Sequence, residues 1–117
     1  EAEAMAKGKV RVIRFPWREI DRAQAEAETE GFIKLILGAK NDTILGAHIV
    51  GAHAGELLGE IALAMRHKLG PDAIFATTHA YPTYGTGLQQ AAFEAYLESE
   101  SLKNARRFLR PVISLRG

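Results

Sequence analysis

GFIKLILGAKNDTILGAHIV, residues Gly31 to Val50, decides the fold. Gly31 to Leu37 is dense in β-branched and aromatic residues and reads as a strand. Gly38 to Thr43 (GAKNDT) carries turn chemistry in Gly38, Asn41 and Asp42. Ile44 to Val50 (ILGAHIV) is again strand-like, so the stretch predicts an antiparallel hairpin. Upstream, Lys9 to Phe15 (KVRVIRF) alternates charged and apolar residues, the period-2 mark of a half-buried strand. Pro16 ends that strand, and Trp17 to Glu28 is polar, alanine-rich and partly helical in character.

Downstream the period changes. Between Ala54 and Leu69, apolar residues recur at three- and four-residue steps: Ala54, Leu57, Leu58, Ile61, Ala62, Met65 and Leu69. Gly70-Pro71 terminates this helix, and Pro71 to Thr77 predicts a short helical turn. The loop HAYPTYGTG (His79–Gly87) leads into a second helix from Gly85 to Leu97, whose Ala91, Ala92 and Ala95 suit close packing. A short basic helix (LKNARRFLR, 102–110) is expected to stop before Pro111. No repeat or low-complexity linker interrupts the chain. Strand, hairpin, helix, loop and helix in this order predict an α+β domain: an antiparallel sheet with helices packed on one face.

Composition narrows the function. The chain has 117 residues, 47% of them hydrophobic and 25% charged, which suits one globular domain. A net charge of +1 argues against a dedicated polyanion binder, and no apolar run reaches the ~20 residues needed to cross a bilayer. With no cysteine, disulfides, thiolate metal sites, iron–sulfur clusters and thiol redox chemistry are excluded from this chain. Glu1-Ala2-Glu3-Ala4 before Met5 reads as an expression remnant of a secretion leader, set apart from the fold. After secretion of that kind Asn41-Asp42-Thr43 would be a glycosylation acceptor; otherwise it is a hairpin tip.

Motifs for chemistry are sparse. Neither GxGxxG nor GxxxxGK[ST] is present, and GAHIVGAHAG (46–55) does not match the former. His48, His53, Glu56 and His67 are conceivable metal ligands, but His53 and Glu56 at a helix start favour capping and surface roles, so no metal site is assigned. His79 is a candidate acid–base group without a neighbouring carboxylate, the nearest downstream being Glu94. No serine elbow accompanies it. The cations Lys103, Arg106, Arg107, Arg110 and Arg116 read as a solvated face, with neither nucleic acid nor membrane as partner.

One resemblance organises these fragments. Asp21-Arg22-Ala23, TEGFIKLIL (29–37), ILGAHIVGAHAGELLGEIALAM (44–65) and HAYPTYGTGLQQAA (79–92) occur in order. The series strongly resembles the C-terminal dimerisation domain of FAD-dependent pyridine nucleotide–disulfide oxidoreductases, a family that includes dihydrolipoamide dehydrogenase, glutathione reductase and mercuric reductase. It covers residues 9 to 98, most of the chain. The resemblance implies residues 5–98 as a homodimerisation domain and 99–117 as a basic helix and tail. FAD and NAD(P) would belong to preceding domains of a parent enzyme, this chain being no redox enzyme alone, and the setting would be cytoplasmic.

The resemblance also gives the loop a meaning. The family's segment reads His-x-His-Pro-Thr-x-x-Glu, its second histidine reaching into the partner's active site as acid–base catalyst. Here Tyr81 stands at that histidine and Thr86 at the glutamate, while His79, Pro82 and Thr83 match. A phenol titrates near pH 10 and shuttles protons poorly at neutrality. The parent is therefore expected to be mercuric-reductase-like, although the C-terminal cysteine pair of mercuric reductases is lacking. Tyr81, Tyr84, Thr86 and His79 are the residues expected at the partner's site, with Pro82 and Thr83 near its flavin. Leu88, Ala91, Ala92, Ala95 and Tyr96 are expected at the intersubunit surface, and the Tyr81–Pro82 bond is expected to be cis. Two other readings remain: a stand-alone acid–base module centred on His79 and Tyr81 or Tyr84, and an adaptor working through the basic tail.

Overall fold

A computed structural model describes residues 1–114. The hairpin forms as expected: β2 (Phe32–Gly38) pairs antiparallel with β3 (Ile44–Val50). β1 (Val10–Pro16) adds on the other side of β2, giving a three-stranded sheet in the order β1-β2-β3. Asn41 Oδ1 organises the turn, accepting from the Thr43 hydroxyl at 2.9 Å and its amide at 3.3 Å. Alternation sends Ile13, Phe15, Ile33, Leu35 and Leu37 to one face, all buried. On the other face Arg14 lies over the Phe32 ring, 3.8 Å from its centroid.

The helices α3 (Ala54–Arg66) and α5 (Gly85–Leu97) cover the buried face, α3 against β3 and α5 against β1 and β2. α5 lies close because its inner side is small. A Cβ on Gly87 would sit 2.3 Å from Ile20 Cδ1, so glycine there admits a fully buried isoleucine. The short helix α4 (Pro71–Ala76) packs along α5, with Phe75 5.0 Å from Tyr96 and 5.4 Å from Phe93 between ring centroids. Between β1 and β2 a 3₁₀ turn (Trp17–Glu19) and α2 (Asp21–Ala25) bring Trp17, Ile20 and Ala23 into the core.

Several expectations are corrected. Leu88, Ala91, Ala92 and Ala95 are fully buried in the chain's own core and so are not available to a second subunit, while Tyr96 is half-buried against Phe75. Small residues permit close packing against any neighbour, and here the neighbour is the sheet. The stripe on α3 divides: Leu57 and Ile61 are buried together with Ala64, whereas Leu58, Ala62 and Met65 face outward. α3 ends at Arg66 rather than Leu69, because Lys68 turns left-handed (φ 54°) and the Leu69 amide reaches back to the Ala64 carbonyl at 2.8 Å.

Residues 2–6, mostly set apart as leader, form helix α1 (Ala2–Ala6), and Glu1 pairs with Lys34 on the open sheet face. At the other end α6 (Glu100–Ser114) runs past Pro111, since a proline removes one backbone bond without always ending a helix. Of the tail cations, Arg116 lies outside the described residues.

Candidate functional site

His79 enters the loop fixed at both ring nitrogens. Nε2 is 2.6 Å from Glu60 Oε1, and Nδ1 is 2.7 Å from the Thr77 carbonyl oxygen. Both partners are acceptors, so neither ring nitrogen is left over for a substrate. The expectation of a histidine without a carboxylate is corrected, because α3 delivers Glu60 from 19 residues upstream. Glu94 lies elsewhere, where loss of solvent and the charges of Glu19 and Glu98 raise its pKa.

The next turn is tight. The Tyr81–Pro82 bond is cis, as expected. The Thr83 hydroxyl donates to the Ala80 carbonyl at 2.6 Å, and the Thr86 hydroxyl donates to the Thr83 carbonyl at 2.6 Å. Tyr81 stands outward, 71% exposed, and its hydroxyl donates to Asp21 Oδ2 at 2.6 Å. That bond, with the carboxylate's charge, raises the phenol above its ordinary value near 10. Asp21 thus moves Tyr81 further from proton transfer at neutrality.

Tyr84 turns the other way. Its ring stacks on Trp17 at 5.4 Å and tilts against His53 at 5.1 Å, and its hydroxyl donates to Glu26 Oε2 at 2.7 Å. The Glu26 bond first, then loss of solvent, pushes the Tyr84 phenol up to about 12. In return the Tyr84 hydroxyl, and after it Arg22 at 2.6 Å, hold the Glu26 carboxyl below its ordinary value. His53, expected as a cap, makes no side-chain cap bond and sits left-handed (φ 61°), 4.0 Å from Glu26. Beside it opens a cavity of about 360 Å³ lined by Arg22, Glu26, His53, Glu56, Leu57, Glu60 and Pro82 to Gly85.

Of the loop residues expected to meet a partner, Tyr81 is the one turned outward, with Pro82 exposed beside it. Tyr84 and Thr86 are buried, and the side chain of His79 is 8% exposed. Residues that the sequence did not single out, Asp21, Glu26 and Glu60, hold the loop in place. Asp21 stood in the quoted Asp21-Arg22-Ala23 motif, the one signal that could have found it. His48, His53, Glu56 and His67 do not converge; among the described residues no group of three metal-ligating side chains forms.

The Tyr84–Glu26 pair predicts a pH window. Tyr84's raised pKa contributes stability present below about pH 10 and lost as pH climbs through about 12. Glu26's lowered pKa contributes stability present above about 4.5 and lost as pH falls. Tyr84→Phe should remove the highest-pH tyrosinate transition in an ultraviolet titration and return Glu26 toward its ordinary carboxyl range. Persistence of that transition in the variant would refute the pairing.

Comparison with known proteins fits this geometry. Residues 1–92 match the pattern of the pyridine nucleotide-disulphide oxidoreductase dimerisation domain. The chain belongs to this family. The mitochondrial dihydrolipoyl dehydrogenase of Dictyostelium discoideum is 41% identical over 83 residues, covering 71% of this chain and 17% of the relative. Among solved structures, the HOCl-induced flavoprotein disulfide reductase RclA of Escherichia coli superposes with a TM-score of 0.75 at 22% identity, over 80% of this chain and 22% of RclA. LpdA of Mycobacterium tuberculosis superposes with a TM-score of 0.72 at 24% identity, over 80% of this chain and 20% of LpdA. These two likenesses establish a shared fold. The dimerisation domain described here therefore spans about a fifth of the length of such relatives.

Proposed function

We propose that this chain is the C-terminal homodimerisation domain of a flavin-dependent pyridine nucleotide–disulfide oxidoreductase, presenting Tyr81, Pro82 and Thr83 to the partner subunit's active site. The match of residues 1–92 to the dimerisation domain carries the reading. FAD and NAD(P) would reside in other domains. The residues here do not fit a dinucleotide: the loop's cavity is lined by Glu26, Glu56 and Glu60, whose charges oppose a pyrophosphate, and no glycine-rich phosphate turn accompanies them.

The loop's part would be to shape and close the site rather than to move protons. The Tyr81 phenol, raised by Asp21, supports an acceptor that needs no histidine from this position, in a mercuric-reductase-like manner. The stand-alone acid–base reading loses its central residue, since His79 is bracketed by Glu60 and Thr77.

For the two-fold contact the outward half of α3 replaces the buried face of α5. Leu58 is 49% and Met65 38% exposed, with Ala62 between them on the same helical face. A core that needs only Leu57, Ile61 and Ala64 leaves this second apolar strip for another molecule. Light scattering across a dilution series should show a dimer persisting to low micromolar concentration. Leu58→Asp should give a monomer with an unchanged circular dichroism spectrum, whose deficit in unfolding free energy against the wild-type dimer grows with protein concentration. A wild-type chain that is monomeric throughout would refute self-association by the isolated domain; a dimer indifferent to Leu58→Asp would move the contact off α3.

A further inference from the structure

Helix α6 lies wholly beyond the residues that match the family. It begins as a separate helix: buried Ser99 accepts the Leu102 amide on its hydroxyl at 3.3 Å, a side-chain cap on the first turn. From Lys103 to Leu109 every residue is exposed, Phe108 to 85% and Leu109 to 53%. At about 100° per residue, Leu102, Ala105, Phe108 and Leu109 share an arc of roughly 120°, with Lys103 and Arg107 on the opposite side and Arg106 at the arc's edge. An isolated helix of this length is marginal in water, so a surface that receives the stripe would stabilise it.

Charge says which surface. Lys103, Arg106, Arg107, Arg110 and Arg116 follow Ser101 with no carboxylate among them, leaving ten cations against fourteen carboxylates, a net −4, in the preceding chain. An anionic plane attracts α6 and repels the body that carries it, which orients the molecule. A second copy of α6 would set cations against cations, and four apolar side chains, one of them alanine, fall far short of the ~1,200 Å² that a stable protein contact buries. A polyanion such as RNA would leave the Phe108–Leu109 stripe in water.

We propose that α6 is a peripheral anchor for anionic lipid bilayers, laying Leu102, Ala105, Phe108 and Leu109 into the interface while Lys103, Arg106 and Arg107 reach the headgroups. Long cationic stems lie along apolar surface with their charges outward, which suits Arg106 at the stripe's edge. Among the described residues no helix is long and apolar enough to cross a membrane, so the anchor lies on the bilayer. The cations alone read as a solvated face; the stripe beneath them changes the partner.

The test is co-sedimentation of the 117-residue chain with vesicles of phosphatidylcholine alone or mixed with phosphatidylglycerol. Partitioning should be about tenfold or more stronger on the anionic vesicles and should weaken with salt. Phe108→Asp and the double variant Arg106→Glu, Arg107→Glu should each lower it by about tenfold or more with circular dichroism unchanged. No sedimentation, or equal binding to both vesicles, would overturn the proposal. So would loss on charge reversal without loss on Phe108→Asp, the mark of simple polyanion attraction, checked with RNA in place of vesicles. A fall in solution mass on Phe108→Asp would overturn it in favour of self-pairing through α6.

Discussion

Trp17→Ala should lower the unfolding free energy by about 3–5 kcal/mol, the range for deleting a large buried aromatic ring. In a domain of this size that corresponds to a melting temperature lower by roughly 15 °C or more. Trp17 is 0% exposed, stacks on Tyr84 and lies so close beneath Gly51 that a Cβ there would come within 2.5 Å of the indole. Its removal leaves a cavity at the junction of β1, α2 and the loop, and the loop's inner tyrosine loses its support. Trp17→Phe should cost clearly less. It keeps most of the ring and eliminates the indole N–H, which is buried without a partner among the described residues. Thermal unfolding followed by circular dichroism measures both; equal losses would mean that ring volume does not set the effect.

The second large effect is expected at Gly31, immediately before β2. Its φ of 128° is a conformation that side-chain-bearing residues rarely adopt, and a Cβ would stand 1.9 Å from the Val50 carbonyl oxygen. The obstacle is backbone, so no rotamer change relieves it. Gly31→Ala should cost about 3 kcal/mol or more, combining backbone strain with overpacking. It should also disturb the bond from the Trp17 amide to the Gly31 carbonyl, 2.9 Å long, coupling the two predictions. Gly59→Ala serves as contrast. A Cβ there meets nothing within 4 Å, and the helical position should gain about 0.5–1 kcal/mol. Urea midpoints at constant slope would report both, and a tolerated Gly31→Ala would show that the hairpin can shift away from Val50.

The contrast between these glycines shows what the sequence could disclose. The strands were legible because period-2 alternation is a local pattern, and β3 and α5 have the expected bounds. The loop's outline was legible through its Pro-Thr pattern. Depth was not legible. Trp17 sits in a polar, alanine-rich stretch with no periodic pattern to mark it as core, and the 3₁₀ turn folds it inward. Ala91, Ala92 and Ala95 suit an interface or a core equally, and only the sheet's position decides. The His79–Glu60 and Tyr81–Asp21 bonds join residues 19 and 60 positions apart, separations that leave no periodic trace.

Glu60 has a mechanical consequence. It lies between Leu58 and Ala62 on a single helix of 13 residues, about 20 Å long, and holds the first residue of the loop. The outward strip and the loop are thus mounted on one rod. A rotation of a few degrees where two rods touch would swing the Tyr81 hydroxyl across its partner's surface, much as a hinge pin sets the arc of a door. Alignment between subunits would then depend on the seating of α3 together with α2, whose Asp21 holds the Tyr81 hydroxyl.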